Sequence, residues 1–319
     1  AVDALTNCHV YPNPPSRSLR EALAARFRVD TGMIFCGAGS EDIIRLLACA
    51  YATSGDDILY TEHGFLAYPI SARVAGANTI VSEETNMTVD VDAVLRTVTP
   101  ACKMVYIANP GNPTGTYISH DEMKRLRADL PRQVLLVLDS AYAEFVSEKD
   151  YDPGWEMVEK SDDNVVMLRT FSKAYGLAAM RVGWAYAPES IIRVLDKVRN
   201  QFNITGPAQA AAVAALADEE HLQKTLRYNA TNKRWLEERL RGFGFELSDS
   251  VANFVLAKCS EGNEACARLN QYLRDNGVSV KPGNISGLPD CLRITVGPRE
   301  ALDKLIATLE SYFALANKG

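Results

Sequence analysis

From about Met33 to Ala187 the chain alternates short, β-branched apolar runs with amphipathic stretches, the pattern of a parallel sheet covered by helices on both faces. The apolar runs predict strands at Met33 to Cys36, Asp57 to Thr61, Asn78 to Ser82, Met104 to Ala108, Val134 to Asp139, Val165 to Thr170 and Val182 to Ala187. Helices fit between them, for example Glu41 to Tyr51 and His120 to Leu130.

After Gly206-Pro207 the pattern changes. An alanine-rich run from Ala208 to Ala217 is followed by a long charged helix, about Glu219 to Arg241, which is expected to cross between domains. A smaller α+β unit then follows, with strands expected near Phe254 to Ala257, Val278 to Val280 and Leu292 to Val296, and helices at Asn263 to Asn276 and Pro298 to Phe313. The chain thus divides into a large domain at 17–232 and a small one assembled from 1–16 and 233–319.

Composition narrows the function classes. With 319 residues, 47% of them apolar, the chain can bury a large core. A net charge of −6 and scattered basic residues predict no nucleic-acid partner. Seven cysteines without a C-x-x-C pair and four dispersed histidines predict reduced, mostly buried thiols and no metal site. No apolar run reaches the length of a membrane span, and the start Ala-Val-Asp-Ala-Leu-Thr has neither a basic nor an apolar signal region, so a cytoplasmic protein is expected.

Four segments carry chemistry. Gly37-Ala-Gly39-Ser40-Glu41 lies between a strand and a helix, where small residues let backbone N–H groups and the helix N-terminus approach an anion. The alternative is an ordinary capped turn. Asn109-Pro-Gly-Asn112-Pro-Thr-Gly115 follows a strand, at the edge where open α/β sheets bind ligands, and Asn112 is its candidate polar finger. In Val134-Leu-Leu-Val-Leu-Asp139-Ser-Ala-Tyr142 a carboxylate closes an apolar strand, which is costly unless a cation pairs with it, such as a protonated ring nitrogen. A helix-capping Asp beside a packed Tyr is the simpler alternative.

The fourth segment, Arg169-Thr170-Phe-Ser172-Lys173-Ala-Tyr-Gly-Leu with Arg181 beyond it, places hydroxyls and a guanidinium suited to a phosphate dianion around one lysine. Most lysines are solvated surface charges. A partly desolvated one among phosphate-binding groups is instead able to form a Schiff base with an aldehyde.

Together, N-P-x-N-P-T-G with Asn112, D-x-A-Y-x-E-F with Asp139 and Tyr142, and S-K-A-Y-G-L-A-x-x-R-x-G with Lys173 and Arg181 resemble the fold-type I, pyridoxal-phosphate-dependent aminotransferases of class I/II. Within that class the sequence is most similar to the histidinol-phosphate aminotransferases, and the likeness extends to Tyr11-Pro, Gly39-Ser-Glu, Ala252-Asn-Phe-Val-Leu256 and Leu292-Arg-Ile-Thr-Val-Gly297. The resemblance implies an α/β fold with a mostly parallel central sheet flanked by helices, plus the smaller α+β domain. It also implies pyridoxal 5'-phosphate as cofactor and a homodimer with shared active sites, acting on a small-molecule amino donor and a 2-oxo acid acceptor.

By the same resemblance Lys173 is the Schiff-base lysine and the base that moves the substrate Cα proton. Asp139 keeps the pyridine nitrogen protonated, Tyr142 and Asn112 hydrogen-bond the ring oxygen, and Phe65 stacks on the ring. The phosphate is held by Gly39, Ser40, Thr170, Ser172 and Arg181, with Tyr11 reaching over from the other subunit, and Glu41 is a further cofactor-binding residue. Arg293 grips the anionic end of the substrate, and Asn253 and Lys281 approach the same pocket.

Two departures bear on substrate. Lys281 stands where the family usually has an arginine, giving a point charge in place of a bidentate fork. The family's opening N-x-N-E-x-P element, with its substrate-side tyrosine, has no counterpart in the 319 residues. Transamination is the expected reaction. A decarboxylase of the threonine-phosphate type is the alternative on the same fold and cofactor, and a ligand-sensing regulator is disfavoured by the acidic charge and the lack of a helix-turn-helix segment.

Overall fold

The computed structural model describes residues 2–160 and 164–316. Its main sheet has seven strands: β1 (Ile34–Gly37), β2 (Asp57–Thr61), β3 (Asn78–Ser82), β4 (Cys102–Ala108), β5 (Leu135–Asp139), β6 (Val165–Thr170) and β7 (Gly183–Tyr186). They lie in the order β1-β7-β6-β5-β4-β2-β3. Strands β4, β5 and β6 are buried on both faces at nearly every position, which is why they read as continuous apolar runs.

One strand departs from a wholly parallel reading: β7 runs antiparallel to both β6 and β1. A parallel return needs a crossover connection, usually a helix, and the link 171–182 contains only the 3₁₀ turn Ala178–Met180. The neighbours β4, β5 and β6 are parallel, so the loops after Ala108, Asp139 and Thr170 open on one edge of the sheet. With β7 reversed, β1 points the same way, and the turn leading from Gly37 into the helix Ser40–Tyr51 reaches that edge too.

The second sheet comprises β8 (Glu246–Leu247), β9 (Phe254–Lys258), β10 (Lys281–Pro282) and β11 (Cys291–Thr295), in the order β8-β9-β11-β10 and antiparallel throughout. A strand at Val278 to Val280 is not formed; pairing begins at Lys281. The reason is local: Gly277 takes φ 72° and the Val278 N–H returns to the Leu273 carbonyl, so these residues close the helix Gly262–Asp275 instead. Helices Gly262–Asp275 and Arg299–Ala316 cover this sheet.

The helix Glu219–Gly242 joins the two units, as its charged, unbroken pattern predicts. Leu222 and Leu226 pack into the core of the large sheet, whereas Leu236 and Leu240 belong to the core of the small one. The N-terminal segment lies against the large unit: Tyr11 stacks on Phe202 with ring centroids 4.4 Å apart, and Gln209 Nε2 donates to the Asn13 carbonyl.

Candidate active site

A cavity of about 220 Å³ opens at the strand edge, lined by Ser40, Glu41, Phe65, Asn112, Asp139, Tyr142, Thr170, Ser172, Lys173 and Arg181. Ten residues singled out in the sequence are thereby brought together. Five stretches far apart in the chain converge because each adjoins the end of a strand at the same edge.

Where the cavity meets the helix Ser40–Tyr51 the backbone takes unusual conformations. Gly39 adopts φ 92° as the residue before the helix Ser40–Tyr51, and a Cβ there would lie 2.5 Å from Arg181 Nη2. Only glycine allows the guanidinium this close to the helix N-terminus. Gly183 in turn lets the Gly39–Ser40 backbone pack closely on β7, since a Cβ on it would sit 2.3 Å from the Ser40 nitrogen. Arg181 is itself left-handed at φ 52° and donates to Ser172 Oγ over 3.3 Å and to the Ala178 carbonyl over 3.1 Å. Thr170 Oγ1 accepts from the Ser172 N–H at 3.1 Å, fixing the turn that leads to Lys173.

At the other end lies Asp139, only 6% exposed. Its Oδ2 accepts a hydrogen bond from the Tyr68 phenol at 3.0 Å, while its Oδ1 is buried with no partner among the described residues. Burial pushes the carboxyl up to about 6, against the lowering effect of the Tyr68 phenol, the Ala141 N–H and Lys173. A buried acceptor left unmatched is costly unless a donor completes it. Lys173 Nζ stands 5.2 Å from the centroid of the Tyr142 ring.

The loop between these ends is held on both sides. Asn109 clamps it through both atoms of its amide, donating to the Ile118 carbonyl and accepting from the Ile118 N–H. From the small unit, Ser248 Oγ donates to the Thr114 carbonyl, and a Cβ on Gly115 would meet Ser250 Oγ at 2.0 Å. Asn112 Oδ1 accepts from Arg293 Nη1 at 2.7 Å.

Arg293 and Lys281 lie across from each other in the β10–β11 pair, beyond the cavity wall formed by Asn112. The Arg293 guanidinium sits 4.8 Å from the centroid of Phe254, and its Nε is buried without a partner among the described residues. Lys281 is held below the usual lysine range by desolvation and by the positive charges of Arg293 and Lys173. Asn253 is half-buried, and its carbonyl accepts from the Val296 N–H. Tyr11 lies outside the cavity, 78% exposed.

Tyr68 was not among the residues expected here. It follows Phe65 by three positions, so both fall on one side of the turn into the helix Ala67–Ala75, but a buried tyrosine in a helix reads from sequence as core. Its ring stacks on Tyr106 at 4.7 Å and 4°, and meets Phe65 edge-on at 5.9 Å.

An orphaned carboxylate oxygen, a lysine amine, a guanidinium at a helix N-terminus and an aromatic wall, all lining one cavity, are the set that a phosphorylated pyridine aldehyde requires. The residues therefore fit pyridoxal 5'-phosphate.

Comparison with known proteins agrees. Residues 2–309 match the family described as aminotransferase class I and II, and the chain belongs to that family. Within it, the chain is 44% identical over 306 residues to the histidinol-phosphate aminotransferase of Rhodopseudomonas palustris strain BisB18, covering 95% of this chain and 83% of that protein. It is 46% identical over 289 residues to the one from Rhodospirillum centenum, covering 91% of this chain and 80% of that protein. The crystal structure of histidinol-phosphate aminotransferase from Sinorhizobium meliloti in complex with pyridoxal-5'-phosphate superposes with a TM-score of 0.91 at 27% identity, over 97% of this chain and 85% of that chain.

Proposed function

We propose that this pyridoxal-phosphate-dependent aminotransferase exchanges an amino group between an amino phosphate of the histidinol phosphate type and a 2-oxo acid. The observation that carries the reading is the unmatched Oδ1 of Asp139 in a cavity shared with Lys173 and the Gly39–Arg181 cradle. Identity of 44–46% to histidinol-phosphate aminotransferases supports the substrate class.

Each residue has a defined task. Gly39, Ser40, Thr170, Ser172 and Arg181 bind the cofactor phosphate, with Glu41 at the same helix end, and Phe65 covers one ring face. Asp139 holds a proton on the ring nitrogen. Asn112 and Tyr142 hydrogen-bond the ring oxygen. When bound, the cofactor supplies a conjugated, positively charged ring that takes up the electron pair left as substrate Cα loses its proton. Lys173 Nζ engages the cofactor aldehyde at rest and carries the proton from Cα during turnover. Arg293, with Lys281 and Asn253, binds the anionic end of the donor.

A homodimer in the cytoplasm accords with this reading, with Tyr11 contributing to the neighbouring phosphate site. The exposed apolar side chains Leu5, Val10 and Tyr11 on the N-terminal segment, and Ile70 and Val74 on the helix Ala67–Ala75, support such a contact. We propose domains at 17–232 and at 233–319; the N-terminal segment up to residue 16, expected with the small domain, packs instead on the large one, with Tyr11 on Phe202 and the Asn13 carbonyl accepting from Gln209.

The test is a donor panel of histidinol phosphate, aromatic amino acids and threonine phosphate with 2-oxoglutarate. Glutamate formation from histidinol phosphate is expected, and carbon dioxide release from threonine phosphate would assign the decarboxylase reaction instead. Lys173→Ala is expected to abolish both turnover and the imine absorbance, and a variant with normal rates would overturn the assignment.

A further inference from the structure

We propose that Tyr68 is a positioning residue for the transamination: its phenol holds Oδ2 of Asp139 and so turns Oδ1 toward the cavity as the charged acceptor for the cofactor's ring nitrogen. The inference rests on the reading that Asp139 faces that nitrogen.

The two carboxylate oxygens are treated differently. Oδ2 accepts the Tyr68 O–H at 3.0 Å, and Oδ1 is buried with no partner among the described residues. A carboxylate bonded at one oxygen by a rigid donor has its plane set by that donor. Tyr68 is such a donor. It is 1% exposed, stacked on Tyr106 and edge-on to Phe65, while Tyr106 is tethered by its own O–H to the Ile44 carbonyl at 2.8 Å. The phenol therefore keeps its direction only as long as the whole aromatic stack keeps its place. Phe65, the proposed ring-covering residue, and Tyr68 are in edge-on contact on the same turn.

The bond also has an electrostatic consequence. Burial favours the neutral acid, and the groups that act on Asp139 are Tyr68, Tyr106, Lys173 and the Ala141 N–H. Among them Tyr68 is the leading influence favouring the carboxylate, ahead of the Ala141 N–H and Lys173. Without the phenol the acid form gains, and a proton that belongs on the ring nitrogen is held by the protein instead. The ring then draws electrons less strongly, and Cα deprotonation slows.

The decisive measurement is the affinity of the cofactor-stripped full-length protein for pyridoxal phosphate as a function of pH, in wild type, Tyr68→Phe, Asp139→Asn, and a protein carrying meta-fluorotyrosine in place of Tyr68. Titrations of the cofactor itself are common to all four and cancel in the comparison. In wild type, affinity falls on the acid side as Asp139 takes up a proton. Phenylalanine keeps the stack and removes the donor, so this acid limb should move up by about one to two pH units, the effect of losing a hydrogen bond to a charged group. The stronger donor meta-fluorotyrosine should move it down, and Asp139→Asn should remove it. In turnover, Tyr68→Phe should lower kcat about tenfold with a smaller change in KM.

If the Tyr68→Phe limb coincides with wild type while Asp139→Asn loses it, the proposed role of Tyr68 is wrong and that of Asp139 stands. If Asp139→Asn keeps wild-type affinity and its limb, the reading beneath the proposal falls too. Should Tyr68→Phe fail to fold, the fluorinated protein decides alone: a limb displaced upward or not at all overturns the proposal.

Discussion

Arg293 donates through Nη1 to Asn112 Oδ1 over 2.7 Å, and this hydrogen bond joins the small sheet to the loop that borders the cofactor cavity. The guanidinium is fixed further by the face of Phe254, whose ring meets Tyr142 edge-on at 5.1 Å. Arg293, Asn112, Phe254 and Tyr142 thus form one chain of packed groups across the two units.

Arg293→Lys should therefore do more than weaken an ion pair. Lysine retains the charge but loses both the fork and the planar stacking. We expect kcat/KM for a phosphorylated donor to fall about tenfold to a hundredfold, mostly through KM, in steady-state kinetics with histidinol phosphate. An unchanged KM would remove Arg293 from the substrate site.

Gly39 tests the anion cradle independently of substrate. A methyl group there meets Arg181 Nη2 at 2.5 Å and must be accommodated at φ 92°, so Gly39→Ala displaces the guanidinium. Equilibrium titration of the stripped protein with pyridoxal phosphate should show a dissociation constant raised at least about tenfold, the loss expected for a charge-assisted contact.

The glycines, strand end and helix start at Gly37 to Glu41 were legible as a turn into a helix, but an ordinary capped turn has the same local sequence, and only the family resemblance singled the segment out. The positions of Asp139 and Lys173 were legible because their strands are buried on both faces and so end where the apolar runs end. Other features had no such signature. The antiparallel course of β7 depends on what joins it to β6, and the apolar run Val182 to Ala187 reads alike in either direction. Tyr68 was missed because a donor to Asp139 and a core tyrosine have the same local sequence, and only the fold brings the two residues, 71 positions apart, together.

Behind the site, Arg169 and Glu144 form an ion pair at 2.8 Å with side chains 6% and 7% exposed. The guanidinium also lies about 6 Å from the rings of Phe27, Trp155 and Trp184. The pair ties the turn after Tyr142 to the strand that leads to Lys173. Removing one member strands a buried charge, so Arg169→Met should destabilise by about 3–5 kcal/mol. The double change Arg169→Met with Glu144→Leu should recover much of that loss in urea denaturation of the cofactor-free protein.

Asp139 gives a pH-dependent counterpart. Its folded-state value of about 6 lies above the ordinary 3.8, so the folded protein binds the extra proton between those limits. The stabilisation from holding that proton is present below 3.8 and is lost as pH rises through about 6, an effect of about 3 kcal/mol at most. Asp139→Asn should accordingly stabilise the cofactor-free protein at neutral pH, with the gain shrinking toward pH 4 in pH-resolved denaturation curves. A gain independent of pH would exclude desolvation as its cause.

The helix Glu219–Gly242 has its early leucines in one core and its late ones in the other. It acts as a spindle whose phase sets which way the small sheet faces. One residue inserted between Leu226 and Leu236 would turn everything beyond it by about 100° and advance it by about 1.5 Å. Both cores would survive such a change as separate packings, yet Arg293 would no longer point at the cavity that holds Lys173. The active site is in this sense indexed by helical phase, and a segment that touches no ligand sets the alignment of the two halves.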